Sequence, residues 1–321
     1  MAGYQYAADD VILYFGKLCP TRTVELTSSM IERYQNWERK LRQPNYSGEY
    51  AKKVKYKDGR GIENTVKHRT TLIRSVLQYA KRAGIIDRNV ASTRDCQIDL
   101  PNPQRHKFPV LSVEEGRRLL RALRDEPLWF RVAIAIALLL GLRRSEIIGL
   151  RVEDIDRANG RLTVCNTVTQ QTIAGKNTIT IKPFTKNRRP KIFVISKALQ
   201  GTINTLLESH KENEILFGKD YDQKWSGYVI RYPDGRLVTP NVLTTAFSNF
   251  IKKNNFKGIR LHDLRHSCAS ILYANGMDLL TLQEIMGHAQ LATTLIYTHI
   301  INEKKETAIN IMSSQLMDDK E

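Results

Sequence analysis

Four short motifs carry residues suited to phosphate chemistry. In chain order they are Gly141-Leu142-Arg143-Arg144-Ser145-Glu146, His262-Asp263-Leu264-Arg265-His266, Gly287-His288 and Thr294-Leu295-Ile296-Tyr297-Thr298-His299. A phosphodiester is a stable monoanion, and its pentacoordinate transition state gathers further negative charge on oxygen. Two guanidiniums can each donate paired hydrogen bonds to the non-bridging oxygens. Preorganised donors of this kind are worth ~3–4 kcal/mol each. A phenol of pKa ~10 costs ~4 kcal/mol to ionise at pH 7, so a phenolate nucleophile needs neighbouring cations and an acceptor for its proton. Together the motifs read as a site that grips a phosphodiester and attacks it with a phenol.

Around these residues the chemistry can be graded by position. His262 lies three residues before Arg265, on the same helix face, where it can act as general base or bond the phosphate. Glu146 follows Arg143 by one helical turn and reads as a brace for that arginine or its helix, not as an acid catalyst. Arg144 and Arg151 read as surface ion pairs, and His266 and His299 as packing. His262 and His266 have the i, i+4 spacing of a zinc pair, but Asp263 stands where that motif needs Glu, and no other metal signature accompanies it. No metal and no cofactor is expected.

The elements that must hold these residues can be traced along the chain. Residues 1–20 show no pattern and are expected to be irregular. Val24 to Gln43 reads as a helix, with Leu26, Met30, Tyr34, Trp37 and Leu41 recurring at three- and four-residue steps. A basic loop follows, carrying Lys52, Lys53, Lys55, Lys57 and Arg60 around Asp58-Gly59. Glu63 to Ala83 returns to helix, with Val66, Leu72, Val76, Leu77 and Ala80 on an apolar side. Residues 21–100 therefore form a basic helical domain. Residues 101–111 form an extended linker stiffened by Pro101, Pro103 and Pro109. Ser112 and Glu115 have capping-box spacing and open a second domain over residues 112–300. Arg161–Val168, Asn177–Ile181 and Lys191–Ile195 are rich in β-branched residues and predict a small antiparallel sheet. Thr239-Pro240, His262–Ala274, Thr281–Met286 and Leu291–His299 mark further helices. Residues 301–321 form a tail with a modest amphipathic helix at Glu306–Met317. The fold class is thus mainly α with a small antiparallel β-sheet, in two domains.

Charge and composition narrow the partner. The chain has 321 residues, with 50 Lys and Arg against 33 Asp and Glu, for a net charge of +17. The excess is +9 through Phe108 and +8 beyond it, so both halves suit a polyanion. Candidate phosphate-backbone contacts are Lys52, Lys53, Lys55, Lys67, Arg69, Arg74, Arg105 and Lys107. Cys19, Cys96, Cys165 and Cys268 show no CxxC spacing and no secretory signal precedes them, which fits a reduced cytoplasmic protein. The most apolar run, Val132–Leu142, is well short of the ~20 residues that span a bilayer, so no membrane association is expected.

The four motifs resemble, in order and spacing, those of the tyrosine recombinases, the phage integrase family. The resemblance runs from the helical N-terminal region to the tyrosine, and is closest to integrases of phages and conjugative transposons. It implies a C-shaped clamp on duplex DNA, made of a helical core-binding domain and a mixed α/β catalytic domain. It implies a catalytic set of Arg143, Lys186, His262, Arg265, His288 and Tyr297, with Tyr297 the nucleophile. In the family a lysine in a β-hairpin turn protonates the leaving 5′-oxygen. Thr185-Lys186-Asn187-Arg188-Arg189 matches best, while Lys182 and Lys191 stand as rivals. Pro183-Phe184 precede that turn, and Phe193-Val194 occupy the place where Pro-Leu is common.

The implied reaction is site-specific recombination through a 3′-phosphotyrosyl bond and a free 5′-hydroxyl, integrating or excising a mobile element without ATP. The implied assembly is a homo-tetramer on paired sites, passing through a Holliday junction, at the bacterial nucleoid. Excision and host DNA-bending proteins are implied as partners, and the tail helix would dock on a neighbouring protomer or on its own domain. A further N-terminal domain for arm sites is common in such integrases, and residues 1–20 do not decide whether one belongs here. Two alternatives remain: a type IB topoisomerase-like enzyme, and a non-cleaving DNA-binding regulator of the same fold.

Overall fold

A computed structural model describes residues 2–18, 21–43, 62–92, 109–173, 176–183, 190–256 and 258–287. The chain divides into two compact units, Met1–His106 and Lys107–Glu321.

In the first unit, helices α1 (Ala2–Leu13), α2 (Ser28–Leu41) and α3 (Ile62–Arg82) surround a small core of Ile31, Tyr34, Ile73, Leu77, Val90 and Ala91. Helix α2 starts later than the apolar pattern suggests, because the Thr27 hydroxyl accepts the Met30 N–H and caps the helix there. The buried stripe of α3 is Val66, Thr70, Ile73, Leu77 and Ala80, and Val76 faces out at 56% exposure.

The expectation of an irregular N-terminal segment is corrected: residues 2–13 are α-helical and Tyr14–Leu18 form a π turn. The cause is tertiary. Val11, Tyr14 and Phe15 pack on the core, and the Tyr14 ring meets the Tyr34 ring edge-on at 5.2 Å. Asp10 bonds both Arg42, at 3.0 Å, and Arg69. None of these contacts leaves a periodic signal in so short a stretch.

In the second unit, α4 (Val113–Ala122) opens on the Ser112–Glu115 capping box. Helix α5 (Leu128–Leu139) is apolar on nearly every side and runs through the main core. Leu140 closes it, and the chain turns through Gly141 into the short helix α6 (Arg144–Ile148). The strands fall into two sheets rather than one. β1 (Ile155–Asp156), β2 (Arg161–Val164) and β5 (Lys191–Val194) form an antiparallel sheet of order β1-β2-β5. β3 (Asn166–Ile173) and β4 (Lys176–Pro183) form a separate antiparallel hairpin, with Asn166 opposite Pro183.

The stretch Arg161–Val168, read as one strand, therefore breaks at Cys165. There the chain passes so close to the end of α6 that a Cβ on Gly149 would come within 2.5 Å of the Asn166 carbonyl oxygen. Helices α7 (Lys197–Phe217), α8 (Pro240–Lys253), α9 (Asp263–Ala274) and α10 (Leu279–Met286) complete the described unit. Thr239 caps α8, with Pro240 at its first turn, and Asp278 caps α10. Among the described residues no helix is long and apolar enough to cross a membrane.

Candidate active site

Arg143 sits at the N-cap of α6, in extended backbone between the Gly141 turn and the helix. Its own N–H donates to Glu146 Oε2 at 2.9 Å, and its Nη1 donates to Glu146 Oε1 at 3.0 Å. Its Nη2 reaches the Gly287 carbonyl at 3.4 Å. Glu146 is thus the expected brace, gripping both the backbone and the guanidinium of Arg143. The Glu146 side chain is only 2% exposed. Burial alone would raise its pKa, but Lys191 and Arg143 outweigh that and hold the carboxyl below its ordinary range.

Arg265 lies in the first turn of α9 and is buried. Its Nη1 donates to the Gly141 carbonyl at 2.5 Å, and its Nη2 donates to the Met286 carbonyl. It therefore ties together three segments: the turn before α6, the start of α9 and the end of α10. The α9 terminus is itself anchored. Asp263 accepts the Arg260 N–H at 2.8 Å, and Ser267 Oγ accepts the Leu111 N–H at 2.9 Å.

His262 stands immediately before α9 with an exposed edge, and its ring meets that of buried His266 edge-on at 5.1 Å. Partial burial, then the positive charge of Arg265, lower its pKa from the ordinary 6.5, against the pull of Asp263. A neutral imidazole at neutral pH can accept a proton. His266 is pulled further, to about 4, by burial and then by His262. This suits the packing role read from sequence.

Lys191 enters the cluster from β5. Its Nζ donates to Glu146 Oε1 at 2.8 Å, and its side chain is 12% exposed. Burial lowers its pKa, Glu146 opposes this, and Arg143 and Arg265 add to the lowering. Its stem lies over Gly287, where a Cβ would come within 2.5 Å of Lys191 Cε. Gly287 also has φ +60 and ψ +47, the left-handed conformation that ends α10 at little cost only for glycine. The Gly287-His288 pair noticed in sequence thus has a steric reason for its first member.

Of the six residues expected to be catalytic, Arg143, His262 and Arg265 come together here. Lys186, His288 and Tyr297 lie outside the described residues, as do Lys52, Lys53, Lys55, Arg105, Lys107 and the tail. The pairing of Lys191 with Glu146 had no local signal, since the partners are 45 residues apart. Arg151 does form a surface ion pair, with Glu153 at 2.6 Å, but Arg144 instead donates to Thr244 Oγ1 at 3.0 Å.

Two of the proposed DNA contacts are engaged inside the first unit. Arg69 is 13% exposed and bonds Glu38, at 2.8 Å, and Asp10. Glu38 is fully buried and also accepts from Tyr34 Oη and from Arg42 Nε, both at 2.8 Å. Arg74 donates to the Ala91 carbonyl at 2.9 Å and pins the segment after α3. Arg69 in particular is held as a structural cation, because it pairs with a carboxylate that is fully buried. Lys67 is half-buried on α3.

Comparison with known proteins gives a consistent picture. The sequence profile of the phage integrase family matches residues 109–304. A protein named tyrosine recombinase XerC-like from Caldanaerobacter subterraneus subsp. tengcongensis is 24% identical over 274 residues, covering 80% of this chain and 68% of that protein. The ICEBs1 integrase of Bacillus subtilis is 30% identical over 215 residues, covering 64% of this chain. The match spans about half of that integrase, 54%. Among solved structures, the Tn1549 transposon integrase in complex with a circular intermediate DNA superposes with a TM-score of 0.71 at 18% identity, covering 95% of this chain and 92% of that one. A lambda integrase dimer bound to a core site gives a TM-score of 0.59 at 14% identity, covering 92% and 87%. At these identities the structural likeness speaks for the fold.

Proposed function

The chain belongs to the phage integrase family, the site-specific tyrosine recombinases, and we propose that it cuts and rejoins duplex DNA of a mobile element with Tyr297 as nucleophile. The observation that supports this reading is the convergence of Arg143 and Arg265 on the carbonyls of Gly287 and Met286, with His262 at the start of the helix that bears Arg265. The chain continues from that turn through His288 to Tyr297, which ties the anion-binding groups to the segment that bears the phenol.

The chemistry follows from the charges. Arg143 and Arg265 hold the non-bridging oxygens of the scissile phosphate, and His288 adds a contact. Neutral His262 takes the phenolic proton or bonds the phosphate. The phenolate attacks phosphorus, forming a 3′-phosphotyrosyl bond and breaking the bond to the 5′-oxygen. Lys186 supplies the proton that the leaving 5′-oxygen needs. The ester bond is conserved in the tyrosyl linkage, so the reverse attack by a 5′-hydroxyl reseals DNA without ATP. Assembly would be a tetramer on two sites, with the amphipathic tail Glu306–Met317 docking on a neighbour and with excision and DNA-bending proteins as partners.

A nicked duplex that loses its 5′-hydroxyl fragment after cleavage tests the reading. The chain should trap itself on this substrate as a covalent adduct visible on a denaturing gel, and Tyr297→Phe should abolish the adduct while leaving DNA binding in place. A Tyr297→Phe protein that still forms the adduct would overturn the assignment. A wild-type chain that binds DNA without forming any adduct would favour a non-cleaving regulator.

A further inference from the structure

Resting on the reading above, we propose that Lys191 is a positioning residue for strand cleavage: through the Glu146 carboxylate it holds the Arg143 guanidinium forward, without touching DNA. Glu146 Oε1 is shared, accepting from Lys191 Nζ at 2.8 Å and from Arg143 Nη1 at 3.0 Å. Its second oxygen takes the Arg143 backbone N–H at 2.9 Å. A carboxylate this buried must be compensated. With Lys191 present, two cations divide that duty.

Without the ammonium, Arg143 alone would have to satisfy Glu146. Its guanidinium would then close on the carboxylate and give up charge and hydrogen bonds that the phosphate needs. Lys191 also bounds the second acceptor of Arg143. Its Cε and Nζ would lie 2.5 and 2.9 Å from a Cβ on Gly287, so its stem packs against the residue whose carbonyl receives Arg143 Nη2. One side chain thus fixes both internal partners of Arg143. With its side chain 12% exposed and its Nζ on Glu146, Lys191 is placed to act through that contact rather than on the substrate.

The test is single-turnover cleavage of the nicked duplex by the full-length protein, with DNA affinity measured in parallel. Lys191→Met should slow cleavage ~10–100-fold, the scale of a misplaced catalytic group, while affinity changes by less than ~3-fold. Lys191→Arg, which keeps a cation on Glu146, should recover most of the rate. In a Glu146→Gln background no carboxylate remains to draw Arg143 back, so Lys191→Met should cost no more than ~3-fold there.

A substrate with sulfur at the bridging 5′ position separates this role from proton donation. A thiolate leaves without protonation, so it would rescue a variant lacking the general acid, and it should not rescue Lys191→Met. Rescue by sulfur, or an equal loss in the wild-type and Glu146→Gln backgrounds, would overturn the proposal. So would a Lys191→Met protein that cleaves at the wild-type rate. Those outcomes leave the broader reading standing, because they presuppose a wild-type adduct. Absence of that adduct would sink the broader reading instead.

Discussion

Replacing Arg265 by lysine keeps the charge and removes the fork, and the structure sets what that should cost. The guanidinium spans two carbonyls, Gly141 and Met286, which lie 124 and 21 residues away in sequence. A single ammonium on a flexible stem cannot serve both in the same geometry. One buried carbonyl is left without its charged donor, at ~1.5–3 kcal/mol. For a unit of this size ~2 kcal/mol corresponds to a fall in melting temperature of about 4–8 °C. Cleavage should suffer separately, because loss of a preorganised donor to the reacting phosphate costs ~10²–10³ in rate. Calorimetry of the full-length protein reads the first effect, and single-turnover adduct formation reads the second. An Arg265→Lys protein that melts within ~1 °C of wild type would refute the bridging argument. Cleavage within ~3-fold of wild type would refute the phosphate role.

Two further outcomes follow from the buried charges. Arg69→Ala should destabilise the first unit by ~1.5–3 kcal/mol, because the fully buried Glu38 loses one of its two cations and keeps Arg42 and Tyr34, and its effect on DNA affinity at conditions where the unit stays folded should be small. Urea titration and a salt-dependent binding isotherm check the two halves of that statement, and a stable Arg69→Ala protein with weakened binding would reverse it. The second outcome concerns pH. His210 and His266 are both pulled down to about 4 by burial, from an ordinary 6.5, so the unfolded chain binds more protons between those values. Stability is therefore full above pH 6.5 and falls as the pH drops towards about 4, by up to ~3 kcal/mol per histidine. His210→Gln, which can keep a donor for the Val229 carbonyl, should remove much of one share, and urea unfolding at pH 7 and pH 4.5 would show it. An unchanged pH slope in that variant would refute the assignment to His210.

Which parts of this could be read in advance follows from where the determining contacts lie. The capping boxes, the apolar helix α5, the Thr239-Pro240 helix start and the brace from Glu146 to Arg143 all depend on residues within one or two turns, and each has a local signature. The helical N-terminus did not, because Asp10, Tyr14 and Phe15 owe their conformation to α2 and α3. Arg69 looked like its basic neighbours on α3, and only the fold shows that a buried Glu38 claims it. The single sheet expected from three β-rich stretches is two, dividing where the backbone at Asn166 lies against Gly149, a contact that composition cannot register. Lys191 was legible as a lysine of the right region, but its role depends on a carboxylate on another element.

The charges of the described cluster bear on why Lys191 and Arg143 share one carboxylate while Arg265 stands beside them. Arg260 and Asp263 pair with each other at 3.3 Å and cancel. Arg143, Arg265 and Lys191 against Glu146 leave two net positive charges. A phosphodiester in the ground state carries one negative charge. Once a phenolate has added to it, the pentacoordinate centre carries two. Among the described residues the charge thus exceeds that of the substrate, the direction in which electrostatics favours the transition state over the ground state rather than merely tightening binding. Losing Lys191 would draw Arg143 back onto Glu146 and reduce the charge offered to the pentacoordinate centre. On this argument its loss should appear in the rate of cleavage and leave affinity for intact DNA nearly unchanged, a separation that a purely structural lysine would not produce.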